Sequence, residues 1–152
     1  MNNVINSFSG EYEFLSNFYS CPVEYEGIIY LNSEAAFQAA KTLDVEKRKE
    51  FCKLPPNKAK LEGRQLALRP DWEDVKYNVM YDIVYNKFAQ NPDLLLKLMS
   101  TKTAKLIEGN WWHDNTWGVC RCDRCYEEEG LNWLGKILED VRLHFRRGRY
   151  DD

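Results

Sequence analysis

Two stretches of this 152-residue chain gather side chains capable of chemistry. In the first, Glu34, Gln38 and Lys41 follow one another at i, i+4 and i+7, a spacing that puts all three on one face of a helix. Phe37 and Ala40 flank that face on its core side. A carboxylate in a first helical turn, set against an apolar wall, has its charge state tuned by burial and by the helix dipole. The plainer reading is that Glu34 only complements the dipole and Lys41 is solvated, and residue chemistry alone favours it. The second stretch is LIEGNWWHDNTWG (106–118), with Glu108, His113 and Asp114 among Trp111, Trp112 and Trp117. Cleaving a glycosidic bond passes through an oxocarbenium-like state. It needs a carboxylate to stabilise positive charge or activate water, and a donor for the leaving group. The competing reading is a polar loop anchored in the core by its tryptophans.

Cys120, Cys122 and Cys125 form C-x-C-x-x-C, a spacing that suits a soft metal, most simply Zn²⁺. His113, Cys52 and Cys21 are the candidates for a fourth ligand. Such an ion would be structural, pinning the loop beside Trp117-Gly118; ordinary reduced thiols are an equal alternative. Lys41 and Arg64 are the phosphate candidates, since ammonium and guanidinium groups pair directly with phosphate oxygens. The chain has no phosphate-cradling glycine loop, no nucleophile elbow and no H-E-x-x-H.

The elements that must position these groups read as mainly helical. CPVEYEGIIYL (21–31) predicts a small hairpin turning at Glu26-Gly27, and FLSNFYS (14–20) a loop. Asn32 or Ser33 can cap a helix SEAAFQAAKTL, with Ala36, Phe37, Ala40 and Leu43 facing the core. A second helix is expected over 44–53, a third from Pro56 through NKAKLEGRQLAL, and the longest from Asp71 through WEDVKYNVMYDIVYNKFAQ. Asn91-Pro92 opens DLLLKLMS; TAKLIEG (103–109) is a short strand or that helix's end; 109–130 is irregular. LNWLGKILEDVRLHFRR closes the chain, with Leu131, Leu134, Ile137, Leu138, Val141 and Phe145 on one stripe. No repeat or linker is evident, so one mainly α domain over residues 1–152 with a small N-terminal β-hairpin is expected.

Bulk properties set limits. A hydrophobic fraction of 44% with 30% charged residues places the chain among globular proteins. A net charge of −3 gives no support for general nucleic-acid binding. The basic run Arg142, Arg146, Arg147 and Arg149 reads as a solvated helix end. The opening MNNVINSFSGEYEF lacks the basic and apolar regions of a signal peptide, and no stretch is long enough to span a bilayer. The expectation is a cytoplasmic protein with no membrane partner.

LSNFY (15–19), SEAAFQAAK (33–41), Gly63-Arg64, Trp72, HDNTWG (113–118) and NWLGKILEDVR (132–142) together resemble the NADAR (YbiA-like) family. Their order and spacing, from about residue 8 to about residue 145, carry the resemblance. It implies a YbiA-like helical fold and hydrolysis of an N-glycosidic bond to ribose phosphate or ADP-ribose, with no required cofactor. The substrate classes it implies are ADP-ribose carried on guanine in nucleic acid and the early ribosyl-phosphate intermediates of riboflavin synthesis. A non-catalytic binder of NAD or ADP-ribose is the rival from outside the enzymes. Carried over by position, Glu34 and Asp114 are the implied catalytic residues, with Glu108 third. Asn17, Phe18, Gln38, Lys41 and Arg64 are implied for substrate binding, as are Trp117, Gly118 and Asn132. The family's His in the second segment is Ala35 here, so any chemistry that His supplies in relatives is done without it.

Overall fold

The computed structural model describes residues 3–151, the side chains of 149–151 excepted. In chain order the elements are β1 (Val4–Ile5), a 3-10 turn (Gly10–Leu15), β2 (Ser20–Tyr25), β3 (Ile28–Asn32), α1 (Ser33–Ala39), α2 (Val45–Lys49), α3 (Pro56–Gly63), α4 (Trp72–Gln90), α5 (Pro92–Ser100), β4 (Lys105–Leu106), β5 (Gly109–Asn110), β6 (Val119–Cys120) and α6 (Trp133–Asp151). The protein is mainly helical with small β elements. It contains two compact units, Asn17–Leu95 and Met1–Ser16 with Leu96–Asp152.

In the Asn17–Leu95 unit, β2 and β3 pair antiparallel with Tyr25 opposite Ile28, closing at Glu26-Gly27 as the turn signal predicts. β2 alternates exposed and buried residues, the mark of a strand with one face on the core. α1 follows β3 directly. Asn32 caps it, its Oδ1 accepting from Ala35 N at 2.7 Å while its Nδ2 donates to Leu54 O at 3.1 Å. All seven residues of α1 are buried, because this helix is packed by β2, β3, α3 and α4 rather than lying on the surface. Three alanines permit that close approach. Phe37 stacks on Trp72 of α4 with ring centroids 5.1 Å apart.

The helix stops earlier than its alanine run suggests. It ends at Ala39, and Leu43, expected on the core face, is exposed. α2 covers only Val45–Lys49, capped by Asp44, whose Oδ1 accepts from Glu46 N and Lys47 N. α3 ends at Gly63, well before Leu68. α4 has the expected span, but the Asp71 carboxylate forms no cap. It is held by Arg69, with Nε–Oδ1 at 2.6 Å and Nη2–Oδ2 at 3.0 Å. Along α4, Trp72, Val79, Met80, Ile83, Val84 and Phe88 are buried and Val75 is half-buried. Lys87 is buried with them, its ammonium 5.8 Å from the Tyr19 ring centroid and 5.3 Å from that of Phe88.

In the other unit, β1 pairs parallel with β4, Val4 opposite Lys105 and Ile5 opposite Leu106. Residues 105–106 are therefore strand rather than helix end. α6 packs on β4, and its Leu134, Ile137, Leu138 and Val141 are buried. Leu131 precedes the helix and is exposed, not part of its stripe. The arginine run is not simply solvated. Arg142 is buried and donates to Thr101 Oγ1 and Ala104 O, each at 2.8 Å, and Arg146 donates to Lys102 O. Arg142 thereby satisfies the buried Ala104 carbonyl of the α5–β4 turn, while Arg146 reaches an exposed carbonyl. The side chain of Arg149 lies outside the described residues.

Candidate active site

Glu34 is the centre of one constellation. It sits in the first turn of α1, only 8% exposed, and its backbone N–H donates to Asn17 O at 3.0 Å. Gln38, one turn on, donates Nε2–H to Glu34 Oε1 at 2.8 Å. Burial on this scale removes the reading of Glu34 as a surface complement to the dipole. Lys41 is half-buried rather than solvated. Burial pulls its pKa below the usual lysine value, Glu34 opposes that shift, and Arg64 and Lys60 reinforce it. Glu34, Lys60 and Arg64 are thus each within electrostatic reach of Lys41, and Arg64 is exposed.

Among the described residues, three buried side-chain atoms lack any hydrogen-bond partner: Asn17 Oδ1, Ser33 Oγ and Gln38 Oε1. All three belong to residues that touch or adjoin Glu34. Asn17 accepts the Glu34 N–H, Ser33 precedes it, and Gln38 bonds its carboxylate. Buried polar atoms are nearly always paired, each orphan costing about 1–3 kcal/mol, so a concentration at one carboxylate marks a place kept for a polar ligand or water. Gly63 is part of this architecture. A Cβ there would lie 2.0 Å from Gln38 Oε1 and 2.7 Å from its Cδ, so only glycine lets α3 close on Gln38. Phe18, beside Asn17, is exposed.

The second constellation lies in the other unit. Glu108 is half-buried; its N–H donates to Asn132 Oδ1 at 3.0 Å and its carbonyl accepts from Val119 N at 2.8 Å. Its Oε2 accepts from Asn110 Nδ2 at 3.3 Å. Gly118 lies flush against it, with no room for a side chain, since a Cβ would be 1.8 Å from Glu108 Oε2. Asn132 is buried with φ of 53° and also donates Nδ2–H to Leu106 O at 2.9 Å, so its amide ties β4 to the start of α6. Asp114 Oδ1 accepts from Thr116 N at 3.0 Å and Trp117 N at 2.8 Å, an Asx turn that shapes the loop. Trp117 is half-buried, edge-on to Trp133 with centroids 5.5 Å apart. Trp111 and Trp112, by contrast, are 68% and 58% exposed, so they do not anchor the loop in a core.

Asn110, which the sequence did not single out, organises this loop. It is fully buried; Nδ2 donates to Asp114 O at 2.8 Å and Oδ1 accepts from Asp114 N at 3.1 Å. A Gly-Asn pair just ahead of two tryptophans in a turn-rich stretch was the available signal. Lys60 and Ser33 were missed likewise, Ser33 because a serine before a helix reads first as a cap. Nearby, His113 Nδ1 lies 3.2 Å from Cys122 Sγ, 3.4 Å from Cys125 Sγ and 3.8 Å from Cys120 Sγ. Burial first, and hydrogen bonds to Cys122 and Cys120 second, push the Cys125 thiol up to about 12.

Comparison with known proteins places this architecture. The NADAR domain family model matches residues 6–146. The chain is 34% identical over 143 residues to N-glycosidase YbiA of Escherichia coli strain K12, covering 90% of this chain and 83% of that protein. The solution NMR structure of E. coli YbiA superimposes with a TM-score of 0.84 at 33% identity, covering 100% of this chain and 90% of that one. A riboflavin biosynthesis protein PYRR of Arabidopsis thaliana is 40% identical over 96 residues, which span 59% of this chain and 15% of that much longer protein. The chain belongs to the NADAR family, as a hydrolase of the N-glycosidase class. No helix among the described residues is long and apolar enough to cross a membrane.

Proposed function

We propose that the enzyme removes ADP-ribose from ADP-ribosylated guanine in nucleic acid by hydrolysing the N-glycosidic bond. The observation that carries the reading is Glu34: a buried carboxylate oriented by Gln38, with three unsatisfied polar atoms on the residues around it. Glu34 stabilises the developing oxocarbenium charge or takes the proton of the attacking water. Asn17, Ser33 and Gln38 supply hydrogen-bonding groups for ribose hydroxyls or that water. Lys41, Arg64 and Lys60 together suit the two charges of a pyrophosphate better than a single phosphate. Exposed Trp111 and Trp112, on the loop that also bears Arg121 and Arg124, suit stacking on bases of a nucleic-acid carrier. Phe18 is a further binding residue of the Asn17–Leu95 unit, and Trp117, Gly118 and Asn132 are the binding residues of the other unit. Asp114 and Glu108 are the further acids; the Asp114 oxygen that caps its own turn suits a shaping part more than proton transfer. The chemistry needs no redox or nucleotide cofactor, and a cytoplasmic setting fits it.

A second reading, hydrolysis of a riboflavin-type ribosyl-phosphate intermediate, is favoured by the name of the plant relatives. Incubation with ADP-ribosylated guanine DNA and, separately, with the aminopyrimidine ribosyl phosphate distinguishes them. Release of ADP-ribose from the first alone is expected. Release of ribose phosphate from the second alone selects the other substrate, and tight binding without turnover of either rejects hydrolysis.

A further inference from the structure

Among the described residues, Glu34 and its neighbours leave one cluster of ligand-type side chains unused. The donor atoms of His113, Cys120, Cys122 and Cys125 all lie within 4.8 Å of one another. A tetrahedral Zn²⁺, with Zn–S near 2.3 Å and Zn–N near 2.0–2.1 Å, holds nitrogen and sulfur ligands about 3.5 Å apart. The three His113 Nδ1–Sγ distances of 3.2, 3.4 and 3.8 Å bracket that value. All five cysteines of the chain are free thiols, so no disulfide competes for these sulfurs. Of the three fourth-ligand candidates in the sequence, His113 is the one grouped with the three thiols.

The backbone is shaped for the same purpose. His113 has φ of 69°, the left-handed region that a residue with a Cβ enters at a cost of about 1–3 kcal/mol. That conformation accompanies a ring set among the three sulfurs and a His113 N–H that donates to Cys120 Sγ at 3.3 Å. Cys120 is fixed by β6, paired to β5, and by Asn115 Oδ1, which accepts its N–H at 2.9 Å. Cys122 and Cys125 are the ends of a tight turn closed by Cys125 N–H to Cys122 O at 3.1 Å. Strand pairing, the Asn115 hydrogen bond and the Cys122–Cys125 turn thus fix the ligand positions, which lowers the ordering cost of binding.

We propose that His113, Cys120, Cys122 and Cys125 bind one Zn²⁺ in a closed tetrahedral site that locks the 109–130 loop. Binding releases three thiol protons, and the neutral imidazole ligates through Nδ1, leaving a centre of net charge −1. Arg121 and Arg124, interleaved with the cysteines, offset that charge. Arg124 Nη2 lies beside His113 Nε2, the ring nitrogen that ligation through Nδ1 leaves free of metal. Four protein ligands leave no open position, so the ion is structural. Its leverage on the loop is direct: His113 immediately precedes Asp114, and Cys120 lies two residues beyond Gly118. Zinc holds the Asp114–Gly118 turn from both sides.

The test uses the full chain, purified in reductant without chelator. Elemental analysis should find one zinc per chain. Replacement by Co²⁺ should give thiolate-to-cobalt charge-transfer bands and the intense visible bands of tetrahedral cobalt. Cys122→Ser should lose most of the metal, and His113→Asn should shift the visible bands while the far-UV circular dichroism is kept. Chelation should speed hydrogen exchange of amides in 109–130 and leave those of 33–39 unchanged. Well under one equivalent of metal after incubation with excess Zn²⁺, a weak octahedral cobalt spectrum, or three thiols that react equally fast with and without zinc would each overturn the proposal.

Discussion

Gln38 gives its amide hydrogen to Glu34 Oε1 at 2.8 Å, while its own Oε1, buried beneath Gly63, has no partner. The pair is a positioned carboxylate next to an unspent acceptor. Both follow from α1 being buried on all sides and from α3 pressing a glycine against its face.

Gly63→Ala tests that arrangement. The added methyl would lie 2.0 Å from Gln38 Oε1, so Gln38 must swing away and release Glu34. Overpacking of this kind costs about 1–3 kcal/mol, read as a lowered denaturation midpoint, and kcat should fall with it. In a Gln38→Ala background most of the stability cost of Gly63→Ala should vanish. A Gly63→Ala enzyme with full activity and stability would show that Gln38 does not hold Glu34.

Asp114 separates shaping from chemistry. Asp114→Asn keeps an Oδ1 to accept from Thr116 N and Trp117 N, whereas Asp114→Ala keeps none. If the residue shapes the loop, Asn should retain activity within a few-fold, and Ala should lose it together with amide protection at Thr116 and Trp117. Loss in Asn equal to that in Ala, with protection intact, would make Asp114 an acid of the reaction.

Lys87 carries a stability prediction. Burial lowers its pKa from 10.5 to about 8, with Cys21 opposing. Between those values the unfolded chain binds the proton and the native state does not, so stability rises with pH across about 8 to 10.5. Below that window the charged form costs about 3 kcal/mol at 1.36 kcal/mol per unit, partly offset by the Tyr19 and Phe88 rings. Lys87→Met should therefore be more stable near neutral pH and lose the alkaline rise. Urea unfolding of both proteins near pH 7 and near pH 10 checks this. A less stable variant at neutral pH would mean that the ammonium is well compensated in the core.

Much of the fold is legible in the sequence, because caps and turns are local chemistry. Asn32, one of two caps the sequence offers, announces a helix start, and Glu26-Gly27 announces the hairpin. The lengths of α1, α2 and α3 are not, because tertiary packing rather than propensity ends them. The parallel pairing of Val4 with Lys105 spans the chain and leaves no local trace. Burial of Lys87 and Arg142 contradicts residue type, and only their three-dimensional partners explain it. At the site, Glu34 and Gln38 could be placed on one face from their spacing, but burial of that face could not. His113 as companion to the cysteines was one of three options in the sequence, and only the folded loop selects it.

The central claim is that Glu34 is the carboxylate on which N-glycosidic hydrolysis depends. The measurement is kcat for Glu34→Gln on the substrate that the wild-type enzyme turns over, with substrate affinity measured separately by equilibrium binding. Gln keeps an amide oxygen to accept from Gln38, so the fold and the affinity should survive. The expected result is a fall in kcat of about 10²–10⁴-fold at nearly unchanged affinity. Turnover within a few-fold of wild type would contradict the account.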